Sequence, residues 1–291
     1  KDFIYDVTLD PSMLDFLNLA LSQKDTPDEN YAREVQELFT VGKRPFAKFT
    51  EKDVREIARA LVGWTYDYDK LVFSEGTDPH VFFDDHNHDT GDKEFSSFYN
   101  NHTISGKSGD DGQQELQEVV DILFNTEESG IYLCRRLYQF FVYPVLTPEI
   151  ESQIIAPLAQ VFKDNDHSLI AVLRELLGSQ HFFDAAIPNS IIKSPIEYNM
   201  GMLKELQITS GYRTYWDGNE VQYEQFNPNH PAFLEQEINQ TTLAYNLFGQ
   251  NLHWSNYNQG MQLFTPPNVS GWPAFYQEPV YDMFWINSST I

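Results

Sequence analysis

TEKDVREIARALVGW, residues 50–64, decides the fold class of this chain. Thr50-Glu51-Lys52-Asp53 reads as a capping box with Asp in the place of Glu. The threonine hydroxyl takes a backbone N–H one turn on, and the acid reaches back to the first free N–H. Ile57, Leu61 and Trp64 then recur at helical spacing, which predicts a helix with one apolar face.

The same grammar repeats outward from this segment. Upstream, Asp10-Pro11 is a cap followed by proline at the first helical position, and LDFLNLALS continues it. Asp28 caps a second helix with Tyr31, Val35, Leu38 and Phe39 as its stripe and Gly42 as its stop. Downstream, helices are expected over about 112–124 and about 127–142, and from Thr147-Pro148-Glu149 to near Lys163. Asp166 is read as the cap of the next, with Leu169, Val172, Leu173, Leu176 and Leu177 inside and Gly178 at its end. Ser194-Pro195-Ile196-Glu197 is a full capping box opening a helix to near Leu206, and Pro231 opens the last, to near Phe248. The expectation is a mainly α fold, one helical domain over 1–291.

Two regions depart from this pattern. Residues 66–111 are rich in Gly, Asp, Asn and His and carry two β-like runs, Leu71–Phe73 and Val81–Phe83. An excursion that long inside a compact domain is uncommon and usually functional. The tail from Phe264 is rich in Pro, Gly and aromatics and reads as an irregular wrap.

Charge narrows the partners. The 19 basic and 43 acidic residues leave a formal charge of −24, which repels phosphate backbones and anionic headgroups. Nucleic-acid and membrane-surface roles are thereby disfavoured. No apolar run of about eighteen residues predicts a membrane span. Cys134, the single cysteine, rules out an internal disulfide and reads as a buried small hydrophobe. The chain starts at Lys1 without methionine and stops inside WINSSTI, which reads as a processed or partly observed piece of a longer protein. Nucleophile elbows, P-loops, HExxH and GxGxxG motifs are missing from the sequence.

The densest chemistry lies in FFDDHNHDTGDKEF, residues 82–95, with five acids and two histidines. Asp85, Asn87 and Asp89 alternate as at the start of an EF-hand loop, but Thr90 stands where glycine is needed and Ser96 where the bidentate Glu belongs. An irregular calcium site built from Asp84, Asp85, Asn87, His88 and Asp89 is one expectation, and zinc ranks below it. His86 and His88, two apart, would point the same way in an extended segment and could share a transition metal with an acid. The plainer reading is an Asx-stabilised turn locked by His88–Asp89. Glu34 and Glu37, at i and i+3, share a helix face and suit a ligand or acid–base pair. A partly buried ion-pair network with Arg33, Arg59 or Arg136 is the favoured alternative.

Several fragments in order, NYAREVQELFTVG, DVREIARALVGW, FFDDHNHDTGDKEF, CRRLYQFFV, IKSPIEY, LFTPPNVSGWP and WINSSTI, resemble the bacterial family catalogued as domain of unknown function 1800 (DUF1800), over essentially the whole chain. His88, Asp89, Gly91 and Lys93 match its His-Asp-x-Gly-x-Lys motif. The resemblance implies an exported protein at the periplasm, cell surface or beyond. It also implies a helical portion ahead of Lys1 and an exported alkaline-phosphatase-like protein as partner. It implies no reaction.

The leading expectation is therefore a non-enzymatic domain that binds a protein partner at the cell envelope. A rival reading is a hydrolase of extracellular polymers or esters. There His88 is base or ligand, Asp89 orients it, Glu34 or Glu37 assists, and Arg59 or Lys93 stabilises developing charge, with or without a metal. In a third, the loop at 84–94 is a structural calcium clasp.

Overall fold

Proline and aspartate start the chain's first regular elements. In the computed structural model of the protein, α1 (Asp2–Thr8) is followed by α2 (Pro11–Phe16), whose Asp10 cap accepts from the Ser12 N–H at 2.8 Å. The structure describes residues 1–43, 45–67, 81–184, 191–205, 212–216, 221–225, 249, 252–262, 264–275 and 285.

Helix α3 (Asn30–Glu34) widens into a π-helical segment, Val35–Thr40. The Thr40 hydroxyl donates to the Val35 carbonyl at 2.6 Å, five residues back, and the Val41 and Gly42 N–H groups both reach the Gln36 carbonyl at 2.9 Å. One extra residue per turn rotates the following side chains. Gln36 and Thr40 are therefore buried with Tyr31 and Val35, while the expected Leu38 and Phe39 stay partly exposed. Gln36 is satisfied there, donating to the Ala32 carbonyl at 2.7 Å and accepting from the Tyr99 hydroxyl at 2.8 Å. Gly42 ends the segment at φ +86°, as expected of a glycine stop.

Helix α4 (Glu51–Leu61) carries the capping box that its spacing predicts. The Asp53 N–H donates to Thr50 Oγ1 at 3.3 Å, and the Asp53 carboxylate accepts the Thr50 N–H at 2.6 Å. Val54, Ile57 and Leu61 are buried to 1% exposure or less, each contributing roughly 1.5–3 kcal/mol. The helix stops before Trp64, because Gly63 takes φ +114°, a value side chains avoid. Trp64 instead begins β1 (Trp64–Tyr66), antiparallel to β2 (Val81–Phe83) with Trp64 opposite Phe83. The expected run Leu71–Phe73 lies outside the described residues. A second short pair, β3 (Lys93–Glu94) and β4 (Thr103–Ile104), follows.

Helices then dominate as expected: α5 (Gln114–Phe124), α6 (Glu127–Phe141), α7 (Pro148–Ile150) with a second π segment (Glu151–Ile155), α8 (Ala156–Asp164) and α9 (Leu169–Gly178). Helix α4 packs on α5 and β3, and α6 packs on α8. Ser168, not Asp166, caps α9, accepting the Ala171 N–H at 3.4 Å. Asp166 and His167 instead hold positive φ angles of 51° and 61° at the end of α8.

These elements form one compact unit, Lys1–Asp184, and Ala185–Ile291 forms a second. The sequence reading, a single domain, drew no boundary there. In the second unit α10 (Pro195–Glu205) opens on the full capping box, the Glu197 carboxylate accepting from the Ser194 N–H and hydroxyl at 2.8 and 2.7 Å. It also holds a hairpin, β5 (Tyr212–Trp216) with β6 (Val221–Gln225), and an aromatic tail cluster in which Met261, Ala274 and Trp285 are buried beside Trp272. The helix expected from Pro231 lies outside the described residues. The protein is mainly helical, with short strand pairs in the excursion and an aromatic C-terminal cluster. No helix among the described residues is long and apolar enough to cross a membrane.

Candidate functional site

The end of α4 and the loop after β2 build the site together. The Asp84 N–H donates to the Gly63 carbonyl at 2.8 Å, seating the loop on the stop of α4. Two turn bonds follow, Asn87 N–H to the Asp84 carbonyl at 3.2 Å and His88 N–H to the Asp85 carbonyl at 3.3 Å. The His86 N–H adds an Asx bond to Asp84 Oδ1 at 3.1 Å. Residues 84–88 are therefore a turn, and the expectation that His86 and His88 face the same way does not hold. The His86 side chain is 92% exposed and that of His88 is 0% exposed.

His88 is a stake driven into the core. Its Nδ1–H donates to the Val62 carbonyl at 2.7 Å, and its Nε2 lies 3.2 Å from Glu115 of α5. The ring packs on Phe83, and Gly112 leaves the necessary room, since a Cβ there would sit 2.8 Å from both rings. The Lys93 ammonium, also 0% exposed, pairs with Glu115 at 2.6 Å and donates to the Asp89 carbonyl. The Lys107 N–H completes Glu115 at 2.9 Å. Burial pushes the Glu115 carboxyl up, but His88, Lys93 and the Lys107 amide outweigh it and hold the group below its ordinary value. Charges this deep persist only when paired, and Glu115 stands within ion-pair distance of both His88 and Lys93.

Asp89 takes the outer layer of the same clasp. Arg59 grips it with Nε at 2.7 Å and Nη2 at 3.1 Å, and the Gly91 N–H adds a bond at 2.8 Å. Arg59 also reaches Glu56 at 2.5 Å and the Asp92 carbonyl at 3.0 Å. Gly91 lacks a Cβ because one would lie 2.8 Å from the guanidinium. The four motif residues His88, Asp89, Gly91 and Lys93 thus fasten the loop to α4 and α5.

Glu34 and Glu37 belong elsewhere. Glu37 lies 3.7 Å from Lys43, and burial, then Glu37, pushes the Glu34 carboxyl above its ordinary value. The polar partners of His88 are Val62 and Glu115, so the structure joins His88, Lys93 and Glu115 in one network and Asp89 with Arg59 in the next. Its glutamate is Glu115, which the sequence reading missed. The signal was present: Glu115 falls on the helical stripe of Leu116, Val119 and Ile122, where an acid needs a buried partner.

The solvent side of the loop gathers three side chains that could hold a metal ion. Asp84, Asp85 and His86 each offer one ligand atom, and these atoms lie within 4.8 Å of one another. His86 Nδ1 is 2.8 Å from Asp85 Oδ1 and 3.8 Å from Asp84 Oδ1. Asn87 is turned away, accepting the Lys24 N–H at 3.2 Å and donating to the Ser22 carbonyl at 2.9 Å. Of the five expected ligands, Asp84 and Asp85 share the cluster, while Asn87, His88 and Asp89 are engaged in holding the turn. A strictly non-enzymatic role, the leading expectation, is corrected by this triad: two carboxylates and an imidazole converge at the surface as in a catalytic or metal site.

A family model described as "Protein of unknown function (DUF1800)" matches residues 1–291. Searches of the curated proteins and of the solved structures give no match. The chain belongs to the DUF1800 family.

Proposed function

We propose that this DUF1800 protein is an extracytoplasmic, metal-assisted hydrolase whose divalent cation is held by Asp84, Asp85 and His86. The observation that carries the reading is the convergence of three ligand atoms within 4.8 Å on an exposed, anchored turn. Bonds of about 2.1 Å in a tetrahedral array separate ligand atoms by about 3.4 Å, so small side-chain rotations close the set. Three protein ligands leave a position for water and substrate. A cation there would make bound water a nucleophile near neutral pH and polarise a carbonyl or phosphoryl oxygen.

The donor set favours a transition metal over calcium. Calcium takes six to eight oxygen ligands, whereas an imidazole nitrogen suits zinc, manganese or a similar ion. The buried clasp then supports the site from below, because His88, Lys93 and Glu115 fix the turn so that only the ligand side chains move. Exposure of the triad suits a substrate too large to enter a cavity, an extracellular polymer or ester.

The test is a panel of chromogenic esters and extracellular polymers hydrolysed by metal-stripped protein, with zinc or manganese restored. Turnover should appear with metal and fall at least a hundredfold in the Asp84→Asn/Asp85→Asn/His86→Gln variant. Turnover indifferent to chelator and to that variant would remove the reading.

A further inference from the structure

A second site lies where the turn after the short helical segment Ser97–Tyr99 meets α5. Asn100 and Asn101 both take left-handed φ angles, 57° and 53°, which asparagine tolerates better than most residues. The chain doubles back there, with the His102 N–H donating to the Tyr99 carbonyl at 3.0 Å. Asn100 and His102 thereby come to line, together with residues of α5, a cavity of about 290 Å³. That volume is close to the lower bound for small-molecule sites, room for one six-membered ring rather than a chain of them.

The lining carries polar groups that the fold leaves unspent. Asn100, His102 and Asn125 are exposed, and their side chains make no hydrogen bond or ion pair among the described residues. Glu118 and Asp121, at i and i+3, share one face of α5 and belong to the same lining. Their side chains are 38% and 44% exposed. Each spends one oxygen on a lysine: Glu118 Oε1 accepts from Lys107, and Asp121 Oδ1 accepts from Lys1 at 2.9 Å. The other oxygens, Glu118 Oε2 and Asp121 Oδ2, have no protein partner among the described residues. The buried residues Tyr99 and Ile122 add apolar surface to the lining.

We propose that this cavity binds one neutral hexose unit. A sugar hydroxyl donates and accepts at once, so a ring of hydroxyls meets amides, an imidazole and carboxylate oxygens alike. The C–H groups of the same ring suit the apolar part of the lining. Both carboxylates already have lysine partners that stand outside the lining, so the site calls for no cation. The formal charge of −24 disfavours an acidic sugar. The assignment stands apart from the metal centre and does not rest on it.

The test titrates glucose, galactose and mannose into the whole chain in the presence of chelator, read by saturation-transfer NMR, with putrescine as a cationic competitor. At least one hexose should bind saturably, with a Kd on the order of 1 mM, and putrescine should not displace it. His102→Ala/Asn125→Ala removes two exposed side chains without protein partners, so it should melt as the parent does. It should bind that hexose roughly tenfold more weakly or worse, the size of two hydrogen bonds. If the double variant melts early, Asn125→Ala alone takes its place, with a loss of about fivefold. The methyl glycoside separates two sources of the ligand. Binding equal to that of the free sugar marks a glycan residue, binding of the free sugar alone marks a monosaccharide, and either supports the site. Absence of saturable hexose binding, displacement by putrescine, or unchanged binding by the variant would each overturn it. Chelator is present throughout, so failure here and failure of the metal centre are separable.

Discussion

Lys93 is a charged side chain with no solvent exposure, and its identity rests on Glu115 at 2.6 Å. Lys93→Met removes one partner and leaves the other buried, which should cost about 3–5 kcal/mol in urea unfolding. Lys93→Met/Glu115→Leu should cost clearly less than the sum of the single changes, because it removes both charges together. Acid offers a second check. Burial pushes the Asp89 carboxyl up, but Arg59 and the Gly91 amide hold it below its ordinary value of 3.8, and Glu115 lies below 4.5 for like reasons. A carboxyl depressed in the folded state adds stability above its unfolded pKa and loses it as pH falls through the folded one. Urea midpoints should therefore be level near neutrality and fall from about pH 5 downward. An acid-side fall left unchanged by Asp89→Asn would contradict the sign. At this scale the motif residues were legible as a set, whereas their direction was not. His86 and His88 share parity only in an extended strand, and two consecutive turn bonds at Asp84 and Asp85 separate them.

Elements were legible where a local chemical signal sets them. The capping boxes at Thr50 and Ser194 and the prolines at Pro11, Pro148 and Pro195 mark helix starts that the structure has. Thr50→Ala should lower stability by about 1 kcal/mol, read from denaturant midpoints. Thr50→Ser, which keeps the hydroxyl, should restore most of that loss. Boundaries and faces were less legible where geometry departs from 3.6 residues per turn. The π segment at Val35–Thr40 shifts burial from Leu38 and Phe39 to Gln36 and Thr40, and no spacing rule in the sequence announces the extra residue. Likewise Asp166 looks like a cap, yet Ser168 is the cap, because the chain leaves α8 through two left-handed residues.

For the whole molecule, the formal charge of −24 sets a negative field, and two of its acids, Asp84 and Asp85, meet on an anchored turn. Two acids and a histidine project from a loop held by a buried clasp, in a protein whose field concentrates cations. Cation affinity should accordingly weaken as ionic strength rises. The sequence pointed to this loop and to Asp84 and Asp85; the fold adds His86 to their cluster and engages Asn87, His88 and Asp89 in the turn. The most direct measurement is calorimetric titration of zinc into the metal-stripped chain and into its Asp84→Asn/Asp85→Asn/His86→Gln variant, with both folds checked by melting. One saturable site in the chain, lost in a variant that melts as the parent does without metal, is the expected result. Equal zinc binding by the two proteins, or none by either, would contradict the metal centre.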